Sequence, residues 1–149
     1  MLKFGLLGAA LIALTIVIQA IGTTYWVRYL GRRYLGQDGQ WKAEKSLRVM
    51  TNTGLVLVSL HVVQILVWAV TYLLLVPDGE LQTLEKSIYF SFVTFTSLGY
   101  GDITLSEGWR LLTGIEALNG ILLVGWSTAV LFAVVQRSWQ GIANKGAGK

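Results

Sequence analysis

The stretch Thr94-Phe95-Thr96-Ser97-Leu98-Gly99-Tyr100-Gly101-Asp102 carries the residue types in this chain that point most directly to chemistry. Gly99 and Gly101 alternate with Leu98 and Tyr100, and glycine tolerates positive φ at little steric cost. A strand whose φ alternates in sign can turn consecutive carbonyl oxygens toward one axis. Such oxygens replace the hydration water that a cation like potassium must shed. The Ser97 hydroxyl would add side-chain oxygens at the inner end of such a strand. An isolated pair of glycines is otherwise an ordinary tight turn, so the weight falls on the surroundings. A phosphate-binding loop is excluded, because no Gly-Lys-Ser or Gly-Lys-Thr is present.

Two further groups are polar residues in apolar runs. Glu116 and Asn119 fall within a run too apolar for them, where a carboxylate is costly by about 2.5 to 3.5 kcal/mol on insertion scales and needs partners. Counting along the chain puts Trp68 and Thr71 near the depth of Glu116. Its expected donors are Trp68, Thr94 or the end of the helix-compatible run before Ser97, the alternative being a protonated carboxyl satisfied by any neighbour. His61 and Gln64 lie one turn apart. The imidazole is either a pH sensor or a bond to an adjacent helix.

The elements that must position these residues follow from composition. The chain has 149 residues, 54% apolar and 13% charged, one histidine and no cysteine, which excludes disulfide frameworks, thiolate chemistry and cysteine-ligated zinc. A net charge of +4 without a basic face on a soluble fold does not indicate nucleic acid. Crossing a bilayer takes about 20 apolar residues, and the runs 4–27, 53–76 and 111–135 qualify. Residues 81–106 are too polar to span and read as a re-entrant hairpin. Arg28, Arg32, Arg33, Lys42, Lys45 and Arg48 separate the first two runs and place that loop in the cytoplasm. Residues 77–110 hold Asp78, Glu80, Glu85, Asp102 and Glu107 against Lys86 and Arg110, whereas the tail holds Arg137, Lys145 and Lys149. The N-terminus and hairpin are therefore expected outside, with the basic loop and C-terminus inside. Residues 1–20 are also weighed as a cleaved leader, but the run is long for one and Ile18 is bulky where a small residue is wanted. Tyr25, Trp26, Trp109 and Trp139 fall at span ends, where amphipathic rings favour the headgroup zone. Residues 41–48 read either as a small interfacial helix or as a solvated connector, and 141–149 as a disordered end.

With its surroundings in view, the run 97–102 resembles the pore loop of potassium channels and their TVGYG filter. Outer helix, aromatic pore helix, filter, aspartate and inner helix occur in that order over about residues 53–137. The resemblance implies that Ser97 to Gly101 form a selectivity filter holding K+ at the carbonyls of Ser97, Leu98, Gly99 and Tyr100, that Tyr89 and Phe90 stand in an aromatic cuff around it, and that Asp102 ties its outer end to the pore helix. Ser97 replaces the usual threonine and Leu98 the usual valine or isoleucine. Serine lacks the methyl that restricts its rotamer, which points to a looser inner site. Val93 stands where some members carry a glutamate, so Asp102 must find Trp109, Tyr89 or a backbone amide. Thr94 and Glu116 are read as filter support. Ile121, Val124, Thr128 and Phe132 share a stripe by helical spacing. By resemblance that stripe lines the pore, where a ring of Phe132 or Val124 closes it by dewetting; the alternative is packing against neighbouring helices. Gly120 and Gly125 are the expected bending points, since the one proline, Pro77, lies outside the spans.

The sequence thus predicts an all-α membrane protein of three transmembrane helices, a re-entrant pore helix and a filter loop. Its parts are an extra N-terminal helix (1–27), a basic cytoplasmic linker (28–52), a pore domain (53–137) and a short tail (138–149). Within the pore domain lie an outer helix (53–76), a pore helix (about 84–96), the filter (97–101) and an inner helix (about 109–136). One loop per chain supplies a quarter of a carbonyl cage, which demands a homotetramer in the plasma (inner) membrane. Its partners are lipid and K+, with no nucleic acid, no cofactor and no enzymatic activity expected. A non-selective monovalent cation channel and a non-conducting assembly subunit remain as alternatives. No span repeats arginine every third residue as a voltage sensor does, and gating is left to the pore, lipid, pH or a partner.

Overall fold

The computed structural model describes residues 2–34, 46–76 and 81–147, with side chains described as far as residue 140. They form four helices: α1 (Leu2–Tyr34), α2 (Ser46–Leu75), α3 (Leu84–Phe95) and α4 (Glu107–Ala147), with no β-sheet among the described residues and 97–101 a short unpaired strand of irregular backbone. α1, α2 and α4 are long and apolar enough to cross a membrane. The short α3 lies between α2 and α4 in the chain, so the expected all-α membrane architecture is the one adopted.

The helices outrun the apolar stretches. α1 passes the expected end at Val27 and carries Arg28, Arg32 and Arg33 in its last two turns, and Arg48 belongs to the first turn of α2. Hydropathy marks the hydrocarbon, whereas a helix already nucleated propagates at little cost into basic residues that suit its C-terminal dipole. α4 likewise continues to Ala147, so the stretch from 141 is helical rather than a disordered end. Lys42, Lys45, Pro77 and the interfacial-helix reading of 41–45 lie outside the described residues.

The chain divides into two compact units, Met1–Gln19 with His61–Val124, and Ala20–Leu60 with Gly125–Lys149. In the first, Trp68, Tyr72, Phe95, Leu112 and Leu123 are fully buried around α3. Phe90 meets Tyr72 edge to face at 5.2 Å. Trp109, expected in the headgroup zone, packs edge to face on Phe4 at 4.9 Å. Thr83 caps α3, its side chain accepting from Lys86 N at 3.3 Å, and Glu85 sits in the first turn where the helix dipole favours an acid. In the second unit Leu30, Tyr34, Val49 and Val134 cluster with Trp26 beside them. The Trp26 indole N–H donates to Thr53 Oγ1 at 3.0 Å, tying the end of α1 to α2.

Helices in lipid gain no hydrophobic energy by associating and rely on close packing and interhelical hydrogen bonds. That accounts for an interior rich in polar side chains. Thr15, Gln19, Gln64, Ser87, Ser91, Glu116 and Asn119 are all buried.

Candidate functional site

α3 ends one turn before the glycines, and its last carbonyls have no partners within the helix. The strand that follows satisfies them. Ser97 N–H donates to Thr94 O at 2.9 Å, Leu98 N–H to Val93 O at 2.9 Å, and Gly99 N–H to Val93 O at 3.3 Å. The strand is thereby held against the negative end of the α3 dipole, a location that favours a cation.

Its backbone alternates. Ser97, Gly99 and Gly101 have φ of +57°, +55° and +75°, while Leu98 and Tyr100 stay negative. Ser97 is the one non-glycine residue with positive φ among those described. Sequence reasoning located the alternation at the glycines alone; the structure begins it one step earlier. Among the described residues no carbonyl of 97–101 accepts a hydrogen bond, while the first three amides of the strand, Ser97, Leu98 and Gly99, are all used.

Asp102 follows the strand, and Tyr89 OH donates to its Oδ2 at 2.7 Å. Of the three donors expected, the structure selects Tyr89. That hydrogen bond to Asp102, with smaller contributions from burial and nearby charge, holds the Tyr89 phenol above the usual tyrosine range. Phe90 points into the core against Tyr72. Phe90 also borders, with Tyr89, Thr94, Ser97, Asp102 and Thr113, a cavity of about 450 Å³ beside the strand. Arg110 also lines it and donates from Nε to Leu105 O at 3.1 Å.

Glu116 is buried, and the Ser91 hydroxyl of α3 donates to its Oε1. Neither Trp68 nor Thr94 serves: the Trp68 indole N–H is buried without a hydrogen-bond partner. Ser91 also approaches the Ile65 carbonyl at 3.2 Å, so one hydroxyl joins α2, α3 and α4. The buried Tyr72 hydroxyl is a neighbour of the same carboxyl group. The overlooked signal was Ser87 and Ser91, one turn apart on the face of α3 that also carries Phe90 and Phe95 into the core; Ser87 Oγ bonds Leu81 O at 3.1 Å.

On α4, Gly120 is buried, and a Cβ there would collide with the Phe95 carbonyl oxygen. Packing against the end of α3 is therefore what this glycine does in the structure. Gly125 has open space around it. Ile121, Val124, Thr128 and Phe132 are all exposed on the chain taken alone. His61 Nδ1 meets Gln64 Oε1 at 3.0 Å, and its ring lies 5.9 Å from that of Phe95.

No characterised protein and no solved structure matches the chain. Residues 56–137 match the family model described as ion channel, which covers α3, the alternating strand and most of α2 and α4. The match spans more than half of the chain and leaves α1 outside it. Three apolar helices, a short helix capped by a strand of alternating φ, and that match together show that this chain belongs to the ion channel family of two-helix potassium-channel pores.

Proposed function

We propose that four copies of this chain assemble around an axis as a potassium-selective channel. The carbonyls of Ser97, Leu98, Gly99 and Tyr100 coordinate the ion, and conduction is passive, down the electrochemical gradient. The observation that carries this reading is the strand 97–101, with φ positive at every second residue, the amides of Ser97, Leu98 and Gly99 bonded to α3, and no carbonyl oxygen hydrogen-bonded among the described residues. Such a backbone gives up hydrogen bonds of its own, and replacing a hydration shell is the use that a ring of such oxygens has in an ion pathway.

The inner helix α4 forms the wall below the strand, with Ile121, Val124, Thr128 and Phe132 toward the conduit. Their exposure on the single chain fits a face reserved for the pore or for neighbouring subunits. Asp102 and Tyr89 brace the outer end of the strand and Glu116 with Ser91 the helix behind it. Ser97 supplies a hydroxyl without threonine's methyl, and the selectivity against sodium depends on how well the backbone alone holds its shape.

Purified protein in liposomes under opposed potassium and sodium gradients tests the reading. A barium-blocked flux reversing near the potassium equilibrium potential is expected. Reversal midway between the two ions would establish a non-selective cation channel, and no flux from assembled protein would establish a non-conducting subunit.

A further inference from the structure

α1 lies outside the residues that match the family, yet it is hydrogen-bonded into the unit that holds the strand. Two buried side chains make those bonds. Asn119 Nδ2 of α4 donates to Thr15 Oγ1 at 2.9 Å, and Gln64 Nε2 of α2 donates to Gln19 Oε1 at 2.8 Å. Thr15 and Gln19 are one helical turn apart, so a single face of α1 holds both neighbouring helices.

Both bonds lead to the same residue. With its nitrogen committed to Gln19, the Gln64 amide presents its oxygen to His61 Nδ1 at 3.0 Å, and the His61 ring lies against Phe95. Asn119 immediately precedes Gly120, whose α-carbon abuts the Phe95 carbonyl. One arm thus reaches the Phe95 ring and the other its backbone. Phe95 is the last residue of α3, two before Ser97 where the alternation of φ begins.

We propose that α1 is a positioning clamp for the ion-coordinating strand, with Thr15 and Gln19 as its positioning residues. They hold Asn119 and Gln64, which fix Gly120 and His61 on the two sides of Phe95. The effect on ion selection rests on the channel reading above; the mechanical claim does not. A helix serving only as a lipid-facing anchor would need neither bond, and apolar side chains at 15 and 19 would suit it better in hydrocarbon.

The test uses the full chain in lipid nanodiscs and follows amide hydrogen exchange of residues 96–101 alongside the reversal potential in liposomes. In the double variant Thr15→Val, Gln19→Leu, exchange across 96–101 is expected to rise about tenfold or more. Helix content should stay unchanged, and potassium preference should fall. Thr15→Ser, which keeps the hydroxyl, should behave as the parent chain. Unchanged exchange across 96–101 in the folded double variant overturns the clamp. Should that variant not fold, His61→Leu cuts one arm while leaving both α1 bonds in place; it is expected to shift exchange the same way, and no shift likewise overturns the proposal. A parent chain without flux whose variants still exchange faster sinks the channel reading and keeps the clamp. Flux with unaltered exchange does the reverse.

Discussion

At the scale of single residues, the site depends on donors that are few and specific. Ser91 donates to Glu116 Oε1, and Ser91→Ala leaves that buried oxygen without this donor. That loss is expected to cost about 1–3 kcal/mol, seen as a lower midpoint of thermal unfolding in detergent. Tyr89 donates to Asp102 in its neutral form. Because the bond raises the phenol's pKa, its contribution is fully present below the ordinary tyrosine range and is lost only as pH climbs through the raised value. Flux should therefore be insensitive to this group up to about pH 10 and fall above it. Tyr89→Phe should show several-fold lower flux at neutral pH and no such alkaline fall. Glu116 was legible as a group needing a partner, because a carboxylate amid apolar residues is conspicuous in sequence. Which donor answers it was not legible, since Ser91, Trp68 and Thr94 differ in rotation about their helices rather than in composition.

At the scale of elements, the strand 97–101 makes substitution tolerance alternate. Positions 97, 99 and 101 require positive φ, so Gly99→Ala and Gly101→Ala each incur about 1–2 kcal/mol of backbone strain. Loss of potassium preference in the reversal potential is the expected readout. Ser97→Gly removes a hydroxyl yet relieves the same strain, and should retain conduction. Gly120→Ala meets the Phe95 carbonyl instead of a flexible side chain, and its cost should reach the upper part of the roughly 1–3 kcal/mol seen for overpacking. Impaired assembly on size exclusion would reveal it. α3 and the strand could be read from the chain because an aromatic amphipathic run stops at glycines spaced by two. The ends of α1 and α4 could not, because apolar length measures the bilayer, whereas helices continue through Arg32 and Arg137 without penalty.

At the scale of the whole molecule, a single chain leaves Phe92, Leu98, Tyr100, Ile121 and Phe132 exposed, with Leu98 at 56% and Tyr100 at 67%. In the tetramer proposed above, further copies meet these faces of the strand and α4, and chemical cross-linking in membranes should give a ladder ending at four. The three spans were evident from hydropathy, but the attachment of α1 was not, because Thr15 and Gln19 look unremarkable among isoleucines and leucines. Their bonds bear on how the protein is made. Synthesis delivers α1 first, so Thr15 and Gln19 are already in the bilayer when Gln64 and then Asn119 leave the ribosome, and each later amide enters hydrocarbon that holds its acceptor. A circular permutant with α1 moved to the C-terminus would keep every one of these contacts and lose that order of arrival. It should insert less efficiently than the parent chain while reaching the same folded state.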